Sequence, residues 1–394
     1  MNKPVQSQFA FIIAGGGMAG LSLAYYLSKS SLGDLPILII DQFPKNKNDK
    51  TWCYWSDREE EFDKVAEKSW DSLWFHSQSN QSKLLNISPF QYNKINSGDW
   101  YSYVNKQLAT KHNIQFLEAK INSFFYKGLG GVVGTDQGDF YASQKVFDSI
   151  STFTCDFENP QHIKQHFLGW TIESHFPVFK PESADLFDFR VAFDMECEFM
   201  YVLPTSPKKA LFEYTFFSGN IRDKTFYRDK LKAYLLAYYG FGEDDYDLLE
   251  EEYGVIPMRP MEDDFQNLHV KIIKIGTSGG FVKSTTGYSF LRTQHTLKEL
   301  VANLEAKNFK ALVLKELQFK KWLDKVFLQV FIDQKIAGSK VFESLFFKNS
   351  PQKMLRFLEE KTSLREDLSL MLTVPTYPFL SAAIKLFFKG NKLP

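Results

Sequence analysis

Among the residues of this chain that could do chemistry, Glu213 stands apart by its setting. It lies in Leu211-Phe212-Glu213-Tyr214-Thr215-Phe216-Phe217. In a strand, a period of two puts it on one face with Leu211, Thr215 and Phe217, while Phe212, Tyr214 and Phe216 take the other. Both faces are largely apolar. A carboxyl on such a surface is desolvated, its pKa rises, and it keeps its proton near neutrality as a general acid. The competing reading is a glutamate at a solvated strand edge. His162 and His166 have the spacing of two imidazoles on one helix face. No acid follows the first histidine and the local pattern is not clearly helical, so no metal is expected. Neither a Gly-x-Ser-x-Gly elbow nor a phosphate loop ending in Gly-Lys-Ser/Thr occurs, which argues against serine nucleophiles and kinase-like sites.

A second group of residues reads as a binding site. Gly15-Gly16-Gly17-Met18-Ala19-Gly20 follows the apolar run Phe9 to Ala14 and precedes the helical Leu21 to Leu27; Ile37 to Ile40 then lead to Asp41. This is strand, glycine turn, helix, strand, acid. Gly15 permits the tight turn, Gly17 lets a pyrophosphate approach the backbone, and Gly20 packs helix on strand. Asp41 is placed to accept hydrogen bonds from an adenosine ribose. A plain β-α-β unit with a glycine-rich turn is the alternative. Farther on, Gly276-Thr277-Ser278-Gly279-Gly280 and Thr285-Thr286-Gly287-Tyr288 precede a helix expected over 289–306, a second junction able to hold an anion. The aromatic segment Thr51-Trp52-Cys53-Tyr54-Trp55 either packs on the cofactor or forms a satellite core.

These groups need a scaffold, and 394 residues supply two or three packed units. The expected fold class is α/β: a Rossmann-type dinucleotide-binding domain over 1–168 and 254–311, an inserted antiparallel sheet over 169–253 as substrate domain, and a helical region over 312–394. Expected elements include a helix from Trp100 to His112, a strand from Ile114 to Glu118, strands Phe189 to Met195, Glu198 to Thr205 and Ala210 to Ser218, and a helix from Lys224 to Tyr239. Ser350-Pro351 and Ser363-Leu364-Arg365-Glu366 are helix starts, and Pro375 and Pro378 are expected to stop the helix before them.

Lysine plus arginine equals aspartate plus glutamate at 47 each, so no global field selects nucleic acid. Cys53, Cys155 and Cys197 are far apart and odd in number, which argues against a disulfide framework and fits a reducing cytoplasm. The N-terminus lacks a signal-peptide pattern, and no stretch of about 18 apolar residues would span a bilayer. The 39 phenylalanines exceed what an ordinary core needs and suggest large apolar cavities or surfaces. In the tail, Phe379, Leu380, Ile384, Leu386, Phe387 and Phe388 with Lys385, Lys389 and Lys392 suit a membrane surface; a helix docked on the body is the alternative.

The glycine-rich start, Lys50-Thr51-Trp52, Tyr201-Val202-Leu203-Pro204, Leu211-Phe212-Glu213-Tyr214-Thr215, Ile256-Pro257-Met258, Thr285-Thr286-Gly287-Tyr288 and the helical end together resemble the lycopene beta-cyclase family of flavoproteins. The resemblance implies noncovalent FAD kept reduced, with NADPH as reductant, and a net non-redox closure of the linear ends of lycopene to β-rings. It implies that Glu213 is the essential acid and that Gly15, Gly16, Gly17, Met18, Ala19, Gly20, Asp41, Gly276, Gly279, Gly280, Thr286, Gly287 and Tyr288 bind the cofactor. A lipid-soluble carotenoid substrate and peripheral contact with the inner face of the cell membrane follow from it. Tyr214 stands where the family has a second acid. Ser284, Thr277 and Ile150 are further departures, where proline, aspartate and arginine are expected. A flavin monooxygenase or isoprenoid reductase would share the cofactor halves, and a carotenoid-binding protein without activity would share the apolar surfaces.

Overall fold

A computed structural model describes residues 8–151, 159–192, 195–260, 270–307, 318–390 and 392–393. Cys155 and the segment 308–317, where the helical region was expected to begin, lie outside them.

The run Phe9 to Ala14 is buried throughout and forms a central strand, Gln8–Ala14. Parallel strands flank it: Ile37–Asp41 and then Ile114–Glu118 on one side, Gly138–Asp148 on the other. The last is long enough to serve two partners. Its end, Val146 to Asp148, pairs in parallel with Ile272–Lys274, while its start pairs antiparallel with Gly130–Thr135, which pairs in turn with Ile121–Lys127. Helix Met18–Ser28 lies on this sheet with nearly every residue buried between the strands and helix Phe290–Glu305. A helix apolar all round belongs inside a core.

A second sheet of seven strands runs in the order Tyr246–Pro257, Lys164–Ser174, Lys209–Ser218, Cys197–Pro204, Ala184–Asp188, Ser72–His76 and Ser82–Asn86. Every pairing is antiparallel except that of Ala184–Asp188 with Ser72–His76. The sheet therefore starts earlier and ends later than 169–253, and it recruits two strands from the first cofactor-binding segment. Helix Lys224–Tyr239 covers one face through Tyr227, Leu231, Tyr234 and Leu235. On the other face, Phe187, Phe199 and Phe217 meet Phe331, Phe342 and Phe346 of the C-terminal helices. Thr51–Ser56, Gln91–Asn96 and Lys68–Trp70 make a small third sheet.

Three local expectations need correction. The strand read over Phe189 to Met195 is instead Ala184–Asp188; the Asp188 carboxylate accepts from Arg190 N at 3.0 Å and turns Phe189–Val191 into a 3₁₀ helix. The helix read over Trp100 to His112 runs Ser97–Leu108. Pro378 does not stop a helix but sits in the first turn of the last one, Thr376–Phe388, where a missing N–H costs nothing. Both expected caps form: Ser350 accepts from Lys353 N, and Ser363 and Glu366 close a capping box.

Candidate active site

The glycine turn has the geometry that its spacing requires. Gly15 adopts φ +101°, where a side chain would be strained, and a Cβ there would overlap the Ser149 hydroxyl. A Cβ on Gly20 would overlap the Gly15 carbonyl oxygen, so helix and strand touch through this glycine. A Cβ on Gly17 would meet nothing within 4 Å, which leaves open space against the backbone at the start of the helix that runs from Met18 through Ala19 and Gly20. Such a cradle fits a pyrophosphate. Asp41 reaches the turn: its carboxylate accepts from Gly16 N at 2.6 Å and from Phe43 N at 2.9 Å. The second loop joins it, since a Cβ on Gly276 would lie 2.9 Å from Ala19 Cβ. Gly276 and Gly280 have φ of +63° and +76°, and a Cβ on Gly279 would press on the Ile275 backbone at 2.7 Å.

Beyond these loops a cleft of about 280 Å³ opens between the two large sheets. Thr277, Thr286, Gly287 and Tyr288 line it from the cofactor side, and Glu213, Tyr201, Phe167 and Gln165 from the antiparallel sheet. The turn carrying Thr286 to Tyr288 is anchored from below. Lys283 bridges Asp324 and Glu360, and Ser284 Oγ donates to Asp324 at 3.2 Å. Ser284, where a proline was expected, thus supplies a hydrogen bond that proline would not. Tyr288 OH lies 3.0 Å from Tyr92 OH, and its ring meets Trp55 edge-on at 4.5 Å. The segment Thr51 to Trp55 packs into the core and borders the cleft. Trp52 and Tyr54 stack on Phe290 in the core, while Trp52 and Cys53 also line the cleft.

Glu213 sits mid-strand and, among the described residues, takes one side-chain hydrogen bond on its carboxylate, from the Thr215 hydroxyl at 3.0 Å. Burial and the nearby Glu252 push its pKa up to about 8, against weaker opposing pulls from Thr215 and Lys50. The sequence reading overlooked Glu252. In the sheet, Gly169 pairs with Glu213 on one side and with Glu252 on the other, so the two carboxyls share a face across a residue that has no side chain. Glu252 accepts from Thr51 N at 2.9 Å and lies 3.6 Å from Lys50 Nζ. Burial raises Glu252 as well, but a cation and a backbone N–H favour its ionised form. Glu252 thus has the partners that favour a charge, and Glu213 the setting that favours a proton. Nothing local in the sequence pointed to Glu252; only strand register brings it to the site.

His162 and His166 do not converge. His162 Nε2 contacts Arg259 at 3.2 Å, while His166 is in a strand, pairs with Tyr227 on the helix-covered face, and is held neutral by burial with a pKa of about 3. Cys53 and Cys197 are free thiols. Behind Tyr201 and Tyr288 a second, apolar cavity continues among Trp55, Phe187, Phe217, Phe342 and Phe346.

No curated protein matches the chain by sequence. Among solved structures, a geranylgeranyl bacteriochlorophyll reductase-like protein from Thermoplasma acidophilum is similar with a TM-score of 0.63, at 11% identity, over 97% of this chain and 99% of the other. A flavoprotein/dehydrogenase from Cytophaga hutchinsonii gives a TM-score of 0.62 at 10% identity, over 98% and 100%. A variant of the halogenase PltM in complex with FAD gives 0.55 at 13%, over 98% and 90%. These likenesses establish the flavoprotein fold. The chain matches the family described as "Lycopene cyclase protein" over residues 11–384, nearly its whole length, and it belongs to that family.

Proposed function

We propose that this protein binds FAD, kept reduced with NADPH as the electron source, and closes the linear ends of lycopene to β-rings, with Glu213 as the acid. The carrying observation is a carboxyl that keeps its proton at neutral pH on the wall of an aromatic cleft. Protonating an isolated alkene gives a tertiary carbocation, so the site must donate a proton, exclude water and tolerate positive charge. Glu213 donates. Tyr201, Tyr288, Phe167 and Trp52 offer ring faces, each worth roughly 0.5 to 2 kcal/mol to a desolvated cation. Glu252, beside Lys50, would when ionised add a negative charge on the same face. The apolar cavity behind Tyr201 and Tyr288 suits the body of a hydrocarbon chain. The Gly17 cradle, the Gly276 loop and the Thr286-Gly287-Tyr288 turn would hold FAD, which when reduced supplies further negative charge near the cation.

A substrate soluble only in lipid calls for a membrane contact, and the last two helices, Leu364–Met371 and Thr376–Phe388, support one. Leu364, Leu368, Leu372, Tyr377, Leu380, Ile384, Phe387 and Phe388 are exposed; Leu372 is 87% and Phe388 82% accessible. Leu386 is fully buried and Phe379 packs on the core, so both leave the expected membrane set, while three leucines of the preceding helix enter it. Among the described residues no single helix is long and apolar enough to cross a membrane. The contact proposed is peripheral, on the inner face of the cell membrane.

The test is expression in a lycopene-accumulating host followed by chromatography of the pigments. Cyclised products with β-rings are expected, with NADPH consumed far below one equivalent per ring. Unchanged lycopene beside folded, FAD-loaded protein would defeat the reading, and stoichiometric NADPH use would favour a monooxygenase or reductase. In a vesicle-sedimentation assay, Leu372→Ser with Phe388→Ser should weaken lipid binding about 30-fold, since each exposed side chain contributes on the order of 1 kcal/mol when buried. Unaltered sedimentation would move the membrane contact elsewhere.

A further inference from the structure

A row of register partners crosses the antiparallel sheet at the cleft. Glu252, Gly169, Glu213 and Tyr201 pair in turn, on strands Tyr246–Pro257, Lys164–Ser174, Lys209–Ser218 and Cys197–Pro204, and so share one face. A Cβ on Gly169 would lie 3.5 Å from both Cβ and Cγ of Glu213, so the Glu213 side chain runs along the bare position. Adjacent strands are about 4.8 Å apart, which sets the backbones of the two glutamates roughly 10 Å from each other with no side chain between them. Both carboxyls border the cleft, and the Glu252 side chain is 15% accessible. The Gly287 turn meets the same strand at Gln165, so the cofactor loops and this row hold different ends of the cleft.

Cyclisation moves two protons. Glu213 gives one to the terminal alkene carbon, and a second alkene of the chain attacks the resulting tertiary cation, forming the ring C–C bond and leaving the charge on a ring carbon. A proton must then leave a carbon next to that charge, and its C–H electron pair becomes the ring double bond. Loss from the ring carbon that bears the polyene gives the β-ring; loss from the ring methylene or the methyl group gives an isomer. The carbon that gains a proton and the one that loses it flank the same quaternary carbon, so one fixed carboxyl faces only one of them. Among the described residues that line the cleft, the carboxyls are Glu213 and Glu252; burial keeps the Cys53 thiol protonated, with a pKa of about 12, and raises Tyr92, Tyr201 and Tyr288. Thr51 N fixes one Glu252 oxygen at 2.9 Å, and Lys50 Nζ lies 3.6 Å from the other. We propose that Glu252 is a second catalytic residue, the base that takes the ring proton after closure and so sets the position of the ring double bond. Each turnover leaves the proton on Glu252 and the charge on Glu213; proton exchange with water restores both, and no electrons are gained or lost. The assignment rests on the cyclase reading above.

The test is expression of wild type, Glu252→Gln and Glu252→Asp, full length, in the lycopene-accumulating host, with flavin content and thermal unfolding checked. Ring types are separated by chromatography and told apart by absorption, because only the β-ring double bond conjugates with the chain. Loss of a positioned base slows its proton transfer by about 10²- to 10⁴-fold, so in Glu252→Gln the share of rings with a displaced double bond should rise at least about tenfold. Total ring formation should persist within about tenfold, since the base acts after the acid. Glu252→Asp keeps a carboxylate but retracts it, covers a failure of the glutamine variant to fold, and should give an intermediate mixture. Pure β-rings from a folded Glu252→Gln would show that Glu213 or the flavin recaptures the proton, and loss of every ring would place Glu252 at the first proton transfer; either result overturns the proposal and leaves the cyclase reading intact. Absence of rings from wild type defeats that reading itself.

Discussion

The two faces of strand Lys209–Ser218 are both largely apolar and chemically opposite. On one face, Phe212, Tyr214 and Phe216 are sealed under helix Lys224–Tyr239; Tyr214 OH donates to Glu198 at 2.8 Å, and His166 Nδ1 meets Tyr227 OH while its Nε2 has no partner among the described residues. On the other, Glu213 takes one hydrogen bond among the described residues, from the Thr215 hydroxyl, and Glu213 and Gln165 line an open cleft. Composition alone does not separate a core from a site. Covering does, because an open face keeps its side chains within reach of a ligand whereas a sealed one does not.

The largest break in this contrast is Glu213→Gln, which keeps shape and polarity but removes the donated proton. Loss of a general acid costs about 10²- to 10⁴-fold, read as cyclised pigment at equal flavin content; wild-type levels of β-rings would remove Glu213 from the mechanism. The same variant tests the pKa. Glutamate in an unfolded chain titrates near 4.3, and Glu213 in the folded protein near 8. Between those values the folded state binds the extra proton, so wild-type stability must fall as pH rises from about 4 to 8, by on the order of a few kcal/mol. Glu213→Gln should lack that fall. Parallel pH–stability curves for the two proteins would refute the buried-acid assignment.

Glu252→Gln comes next. Removing the charge across Gly169 and releasing Lys50 both lower the Glu213 pKa, so the alkaline limb of the pH–activity profile should move to lower pH, with activity at pH 8 reduced about 2- to 10-fold. A profile displaced the other way, or not at all, would show that Glu252 only fastens Thr51. The smallest effect belongs to the sealed face. Tyr214→Phe should leave cyclisation within about twofold and cost about 1 kcal/mol in a denaturant titration, since it removes one buried hydrogen bond to Glu198. A large catalytic loss there would erase the distinction between the faces.

What was legible in the sequence was local. Gly15, Gly17, Gly20 and Asp41 span one β-α-β unit, and the backbone angle, open space and close contact that each glycine implies are all found. Glu213 was legible because its own neighbours reveal its burial. Glu252 and Gln165 were not, since their significance comes from strands paired far apart in sequence, and neither has an unusual local pattern. The strand misplaced at Phe189 shows the same limit: an apolar run looked extended, but the Asp188 carboxylate captured Arg190 N and curled it. The strands between 68 and 96 escaped notice because their mixed polar and aromatic residues lack a clean period of two.

One unbroken strand, Lys164–Ser174, carries Gln165 at one end of the cleft and Gly169 between the two carboxyls. It works as a ruler with no adjustable joint. Loops at either end can lengthen without consequence, but a single residue inserted between 165 and 169 would turn one of these positions to the sealed face. The distance from cofactor turn to acid is thus beyond the reach of small insertions and deletions. Variation in what this scaffold accepts must come through side-chain replacement along the walls.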